Sequence, residues 1–365
     1  MISSLLRRVI TTVQTAITRP PAAPPPATTP AATPYFQDAL EQGRKSPVNL
    51  SGFGNVPSVA ARAPVEAGVT ASGGSEKVGP ELLHLDAGWT PQGQGYDATR
   101  GEVLTSYYND DHEVMISVQD KDSGAETLQV KLGGASPGGP APTHGGGVAT
   151  DGEFVYVSDT DHVFVYTREE LERAAKEGTP AMASQVMDVP ERGVVDDPNS
   201  DVDLVSAGSY MTVHDGYAYI GGYSPDGDGK AGAVWRFKID EKTGALIEDS
   251  REGPIRAPDR AQGMTVVDGA LIFTTGDKKL VYQPFESSAD TFSADIEKRV
   301  DISNGLIDPY AQGVNVIDGE LWVTYESGSD KYRDNVDNPR EHIQRIPLEE
   351  LDLEAACLTP EQLEG

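Results

Sequence analysis

The sequence predicts an all-β protein: a five-bladed β-propeller closed by an N-terminal strand, behind a disordered Pro-rich N-terminal extension. Two observations carry this fold class. One eight-residue phrase recurs five times at a spacing of roughly 50 residues, the length of a propeller blade. Each copy ends in a turn, Asp-Gly in four of them, and an alternating apolar run follows it. That pattern reads as strand, hairpin and strand.

The copies are Gln94–Gly101, Gly145–Gly152, Ser209–Gly216, Gln262–Gly269 and Gln312–Gly319. Their second strands are Val103–Tyr107, Phe154–Ser158, Tyr217–Ile220, Leu271–Thr275 and Leu321–Tyr325. Third strands follow over Glu113–Val118, Val163–Thr167, Ala233–Ile239, Leu280–Pro284 and Ile343–Ile346. The first four repeats add an outer strand: Thr127–Leu132, Ser184–Val189, Ala245–Glu248 and Asp295–Ile302. The fifth passes instead through Pro347 into a helix-like run, Leu348–Ala356. The missing strand stands ahead of the first repeat, at Glu81–Asp86. That segment is expected to complete the last blade, pin the ring shut and cover sheet edges. A short helix, Arg168–Ala175, is inserted in the second blade. The expected organisation is an amphipathic basic helix over 1–19, a Pro/Ala/Gly/Ser-rich linker over 20–78, the propeller over 79–348 and a C-terminal helical tail over 349–365.

Residues 1–19 set Ile2, Leu5, Leu6, Val9, Ile10, Val13 and Ile17 at helical spacing, with Arg7, Arg8 and Arg19 as their charges. Arginines inside the apolar stretch disfavour a standard signal peptide. The expectation is a helix that touches a membrane surface or an export partner, with secretion by a non-standard route and a cytoplasmic location both open. No apolar run reaches 18 residues, so no transmembrane span is expected. Acidic residues number 58 against 29 basic ones, a formal charge of −29. Such a field opposes nucleic-acid binding and favours cations or basic partners. The lone Cys357 forbids an intrachain disulfide.

Topology selects one face for function. The first strand of each blade starts where the second ends, so these ends share the channel mouth. Gln94, Ser209, Gln262 and Gln312 are placed there by strand starts, and His144 by its position beside Gly145. Tyr108, Asp159, Tyr223, Tyr325 and Glu326 arrive from strand ends. Amide, imidazole, phenol and carboxylate groups around an axial opening suit a small molecule, glycan or protein. The repeated Gln-Gly has a second reading, in which glycine lets neighbouring blades approach and glutamine bonds across.

Asp226-Gly227-Asp228 sets two carboxylates around a turn glycine, as at the start of a calcium loop. Asp226 and Asp228 are therefore the candidate ligands for a divalent cation such as calcium. Oxygen-rich runs at 196–203 and 330–338 are similar but lack diagnostic spacing. The nucleophile-elbow, His-Glu-x-x-His, phosphate-loop and paired-cysteine signatures are missing.

The second blade, His144–Tyr166, resembles an NHL repeat through Gly147-Val148-Ala149-Thr150-Asp151, a turn, Val155-Tyr156-Val157-Ser158-Asp159 and a third apolar strand. The resemblance implies a propeller that serves as a platform for partners, commonly with six blades where this chain has five. Related gluconolactonase-like propellers hold a divalent metal in the channel with Glu, Asn and Asp. By that analogy Glu326, Asn315, Asp97 and Asp159 are candidate ligands. Two functions follow: a non-catalytic recognition propeller with its ligand at the mouth, or a metal-dependent hydrolase, lactonase or lyase using the central channel.

Overall fold

The computed structural model describes residues 77–363, apart from 226–228, 268 and 289–290. The expected helix over 1–19, nearly all of the linker, and Asp226 and Asp228 lie outside the described residues. β1 (Lys77–Glu81) comes first. Blade 1 is β2 (Thr90–Asp97), β3 (Glu102–Tyr108), β4 (Val114–Asp120) and β5 (Glu126–Lys131). Blade 2 is β6 (Gly147–Thr150), β7 (Phe154–Asp159) and β8 (His162–Thr167), then helix α1 (Arg168–Glu177) and β9 (Gln185–Asp188). The hairpin β10 (Gly193–Asp196) and β11 (Asp203–Ser206) precedes blade 3, whose strands are β12 (Tyr210–His214), β13 (Tyr217–Gly221), β14 (Ala231–Lys238) and β15 (Glu252–Arg256). Blade 4 is β16 (Ala261–Val267), β17 (Ala270–Thr275), β18 (Leu280–Ser288) and β19 (Thr291–Ala294), with β20 (Val300–Asp301) also on β18. Blade 5 is β21 (Ala311–Ile317), β22 (Glu320–Tyr325) and β23 (His342–Pro347), with β1 on its outer edge. The ring has five blades.

Each blade is stacked between two others, so a middle strand buries both faces; every residue of β3 is buried. Leu104, Ile116 and Val130 of blade 1 pack on Val148, Val157 and Phe164 of blade 2. Each such side chain contributes about 1.5–3 kcal/mol on burial. α1 is capped by the Thr167 hydroxyl, which accepts from the Glu170 amide, and ends at Gly178 in the left-handed region. Its Leu171 and Ala174 join the same core.

The inner strands β2, β6, β12, β16 and β21 neighbour one another in a closed ring. A Cβ on Gly93 would lie 2.3 Å from the Val148 nitrogen, and one on Gly147 2.4 Å from the Met211 nitrogen. Gly263 and Gly313 meet Gln312 O and Gln94 N at 2.2 Å in the same sense. Glycine is required at these four positions because main chain touches main chain. For the glycines of the Gln-Gly repeat, this geometry supports the packing reading.

Several boundaries differ from expectation. The closing strand is β1, pairing Lys77 with Arg345 and Glu81 with His342, rather than Glu81–Asp86. The apolar run there is not a strand because Leu82 and Leu85 form a plug against Val103, Trp322 and Ile343, with Leu85–Ala87 in a 3-10 turn. In blade 3 the outer strand is β15; Ala245–Glu248 contributes only an Ile239–Leu246 bridge, where Leu246 is buried as a single apolar anchor. The outer segment of blade 4 is split by a 3-10 turn, Ile296–Lys298, into β19 and β20. The tail is not one helix but two 3-10 turns and the short helix Pro360–Leu363. Leu348, Leu351, Leu353 and Leu363 bury into the core of blades 4 and 5, a spacing one continuous helix face does not provide.

Blade 1 also shifts the repeat by two residues. Gly263 opposes Thr274 on β17, and Gly93 takes the equivalent place because Gln94 pairs with Thr105. Gln92-Gly93 is therefore the counterpart of Gln262-Gly263 and Gln312-Gly313, and Gln94-Gly95 is not.

Candidate ligand site at the channel mouth

At the start of β2, Thr90 faces Tyr108, and at the start of β21, Ala311 faces Tyr325, so strand starts and ends share one face as expected. Glu326 follows β22 in a 3-10 turn, and its amide donates to the Tyr310 carbonyl at 3.1 Å. Its carboxylate is buried, and the equally buried Gln92 donates from Nε2 to Glu326 Oε2 at 2.8 Å. A buried carboxylate needs such partners to keep its charge.

Tyr108 adjoins this pair. The His144 ring lies 4.4 Å from the Tyr108 ring, tilted against it. Lys331 Nζ donates to the Tyr108 hydroxyl at 3.0 Å and sits 5.1 Å over its ring. The Tyr332 hydroxyl is 3.4 Å from that of Tyr108, and Tyr332 in turn lies 5.2 Å from Tyr310. Burial, then the Glu326 charge, raises the Tyr108 phenol above its ordinary value, so it stays protonated. Burial, reinforced by Lys331 and His112, pushes His144 down to about 3, so its imidazole is neutral at physiological pH.

The glutamines differ among themselves. Gln312 is 1 % exposed, and its Nε2 has no acceptor among the described residues. Gln94 Nε2 is likewise buried without one, although Thr324 donates to its Oε1 at 3.4 Å. Gln262 is half-buried at the start of β16.

Other expected residues are turned to structural work. Asp159 Oδ1 accepts from the His144 and Gly145 amides at 2.5 and 2.8 Å, and Oδ2 from the Thr143 hydroxyl at 3.2 Å. Its carboxylate fixes the loop that carries His144, while burial raises its titration above the ordinary value. Tyr325 donates to Gln344 Oε1 at 2.5 Å and belongs to the core of blades 4 and 5. Tyr223 is buried, its amide donating to Ser209 Oγ at 2.9 Å.

The metal set suggested by analogy does not converge. Asp97 is at the opposite end of β2 from the mouth, bonded to Arg100 and to the Thr99 and Arg100 amides. Asn315 donates to the Gln94 carbonyl at 2.9 Å, and Asp159 is engaged as above. Among the described residues no three His, Cys, Asp or Glu side chains group to hold a metal ion.

Sequence reasoning missed Gln92, Tyr310, Lys331 and Tyr332. The doubled Gln92-Gly93-Gln94-Gly95 was the available signal for the first; the others come from connections whose course no repeat dictates.

The sequence matches no family model and no curated protein. Among solved structures it is similar to a glutaminyl cyclase from Myxococcus xanthus at 10% identity and TM-score 0.40, over 74% of this chain and 95% of that one. It is also similar to a GH43_1 enzyme from Xanthomonas citri at 15% identity and TM-score 0.41, over 74% of this chain and 90% of that one. At TM-scores of 0.40 and 0.41, neither likeness bears on what this chain does.

Proposed function

We propose that this protein is a non-catalytic recognition propeller that binds a small molecule, a glycan or a protein segment at the channel mouth. The observation that carries the reading is Gln312 Nε2, a buried amide donor at the mouth with no acceptor among the described residues. An unmade bond of that kind costs about 1–3 kcal/mol, and a ligand oxygen would recover it. On the same face, Glu326 and Gln92 supply a carboxylate and an amide, and Tyr108, Tyr310 and Tyr332 supply aromatic faces. Few polar groups among aromatic rings is the composition of a ligand pocket. The NHL-like platform role suggested by the second blade belongs to this proposal.

The competing metal-dependent reading finds no ligand cluster among the described residues, so no catalytic step is derived from it. The test is a fragment titration with neutral saccharides, amides and carboxylates, followed by NMR line broadening. A binding fragment should weaken about 10-fold, or 1.4 kcal/mol, in Gln312→Leu, with folding stability measured alongside. Undiminished binding by a stably folded Gln312→Leu would move the site away from the mouth.

A further inference from the structure

Most arginines in the described chain face a carboxylate within ion-pair distance, as expected where acids outnumber bases two to one. Three do not, and all three lie at the junction of blades 3 and 4: Arg256, Arg260 and Arg299. Arg256 ends β15, and Arg260 precedes β16 four residues later with φ of 58° and its guanidinium against Gly276. Arg299 precedes β20.

Arg299 is tied down by neutral acceptors alone. Its Nε donates to Gln283 Oε1 at 2.5 Å, and its Nη2 donates to the Arg256 carbonyl. The Arg256 Nε is fully buried and has no acceptor among the described residues. Asp197 and Asp259 act on Arg299 only from beyond ion-pair reach, and Asp197 accepts from the Asn199 amide at 2.9 Å and the Ser200 hydroxyl at 2.8 Å. Two neighbouring guanidiniums with no carboxylate in ion-pair contact among the described residues suit a tetrahedral oxyanion, whose oxygens can accept from the N–H donors of both.

We propose that the seam between blades 3 and 4 is an oxyanion site, in which Arg256 and Arg299 together take the dianionic group of a phosphate or phosphomonoester. Burial and the Arg256 charge push Arg299 down to about 10, the repulsion that a bound anion would relieve. In the five-membered ring this seam lies opposite blade 1, so the inference stands independently of the Tyr108 cluster.

The experiment is thermal melting at pH 7 and constant ionic strength, with chloride replaced by inorganic phosphate and, in a second arm, by phenyl phosphate. The wild-type chain is expected to melt several degrees higher in phosphate than in chloride, because a ligand of the native state stabilises it. Arg256→Gln removes an unpartnered charge, so it should melt no lower in chloride yet lose the phosphate increment. Arg256→Lys, which keeps charge without the planar fork, should retain only part of it. Equal response to both anions shows that the seam admits an ester; response to inorganic phosphate alone restricts it to the free ion. No phosphate increment in the wild type, or an undiminished one in Arg256→Gln, overturns the proposal. Isothermal titration with inorganic phosphate measures the same binding without melting, and whichever Arg256 variant folds should bind at least 10-fold more weakly than the wild type.

Discussion

The seam between blades 5 and 1 and the seam between blades 3 and 4 bring sheets together in opposite ways. At the first, Gly313 meets the Gln94 nitrogen so closely that no Cβ fits. At the second, Tyr210 stands where the other inner strands have glycine, opposite Gly221. Its ring covers Gly221 and meets Phe273 edge-on at 6.2 Å, within a cluster that includes Ile255 and Met264. One seam is closed by main chain, the other by side chains. Only the side-chain seam carries arginines without carboxylate partners among the described residues. Charged side chains cross the main-chain seams too, as Lys121 does to Asp318 and Arg168 to Glu102, but there each meets a carboxylate.

The largest effect should come from unclosing the ring. A chain beginning at residue 77 keeps β1 and should melt in one transition. A chain beginning at residue 82 loses the β1–β23 ladder and the Lys77–Glu320 pair, and exposes the edge of β23. It should lose cooperative melting by circular dichroism. If both truncations melt alike, β1 is not what holds blade 5 to the ring.

Next in size is Gly313→Ala. A Cβ 2.2 Å from a backbone nitrogen cannot be accommodated by rotating a side chain, so about 3 kcal/mol of stability should be lost in urea melts. A loss below about 1 kcal/mol would mean that seam 5–1 yields as readily as seam 3–4, and the distinction between them would fall.

How much of this was legible follows from which features are periodic. The five hairpins are local and repeat, so inner, second and third strands were readable in every blade. Closure of blade 5 by an N-terminal strand was readable from its missing fourth strand, but the bounds of that strand were not, because Lys77-Val78-Gly79-Pro80-Glu81 is largely polar while the apolar Leu82–Leu85 beside it is a core plug. The Gln-Gly register slipped in blade 1 because the dipeptide occurs twice in succession. At the mouth, Tyr108 was found through a strand end and His144 through its place beside Gly145, and they do meet. Asp159 was placed on the right face, but nothing in its spacing told that its oxygens accept main-chain amides. Lys331 and Tyr332 sit in the long 326–341 connection, where periodicity says nothing.

The seam between blades 1 and 2 offers a titration. His144, in its connection, has a folded-state value pushed down to about 3 against an ordinary value near 6.5. The unfolded chain therefore binds the extra proton between those values, and stability falls as pH drops below about 6.5. The slope is at most about 1.4 kcal/mol per pH unit for one proton. Asp159, shifted up, acts with the opposite sign, so the clean measurement is the difference between wild type and His144→Gln in urea melts at pH 7 and 5. The wild type should lose more stability than the variant over that interval. Equal losses would mean that His144 is as free to protonate in the fold as outside it.

The smallest expected effect tests the aromatic seam directly. The Tyr210 hydroxyl donates to the Gly222 carbonyl at 3.3 Å, a long bond within its own blade, while the ring makes the contact with blade 4. Tyr210→Phe keeps the ring and should lose about 1 kcal/mol or less. Tyr210→Gly would restore the residue type of the other four seams, yet here it should be far worse. Glycine works at those seams because main chain has come to meet it, whereas removing this ring leaves a cavity against Phe273 that neighbouring side chains fill only in part. A Tyr210→Gly chain as stable as Tyr210→Phe would show that seam 3–4 can close on main chain like the rest. The aromatic residue would then have to be explained by something other than packing between the blades.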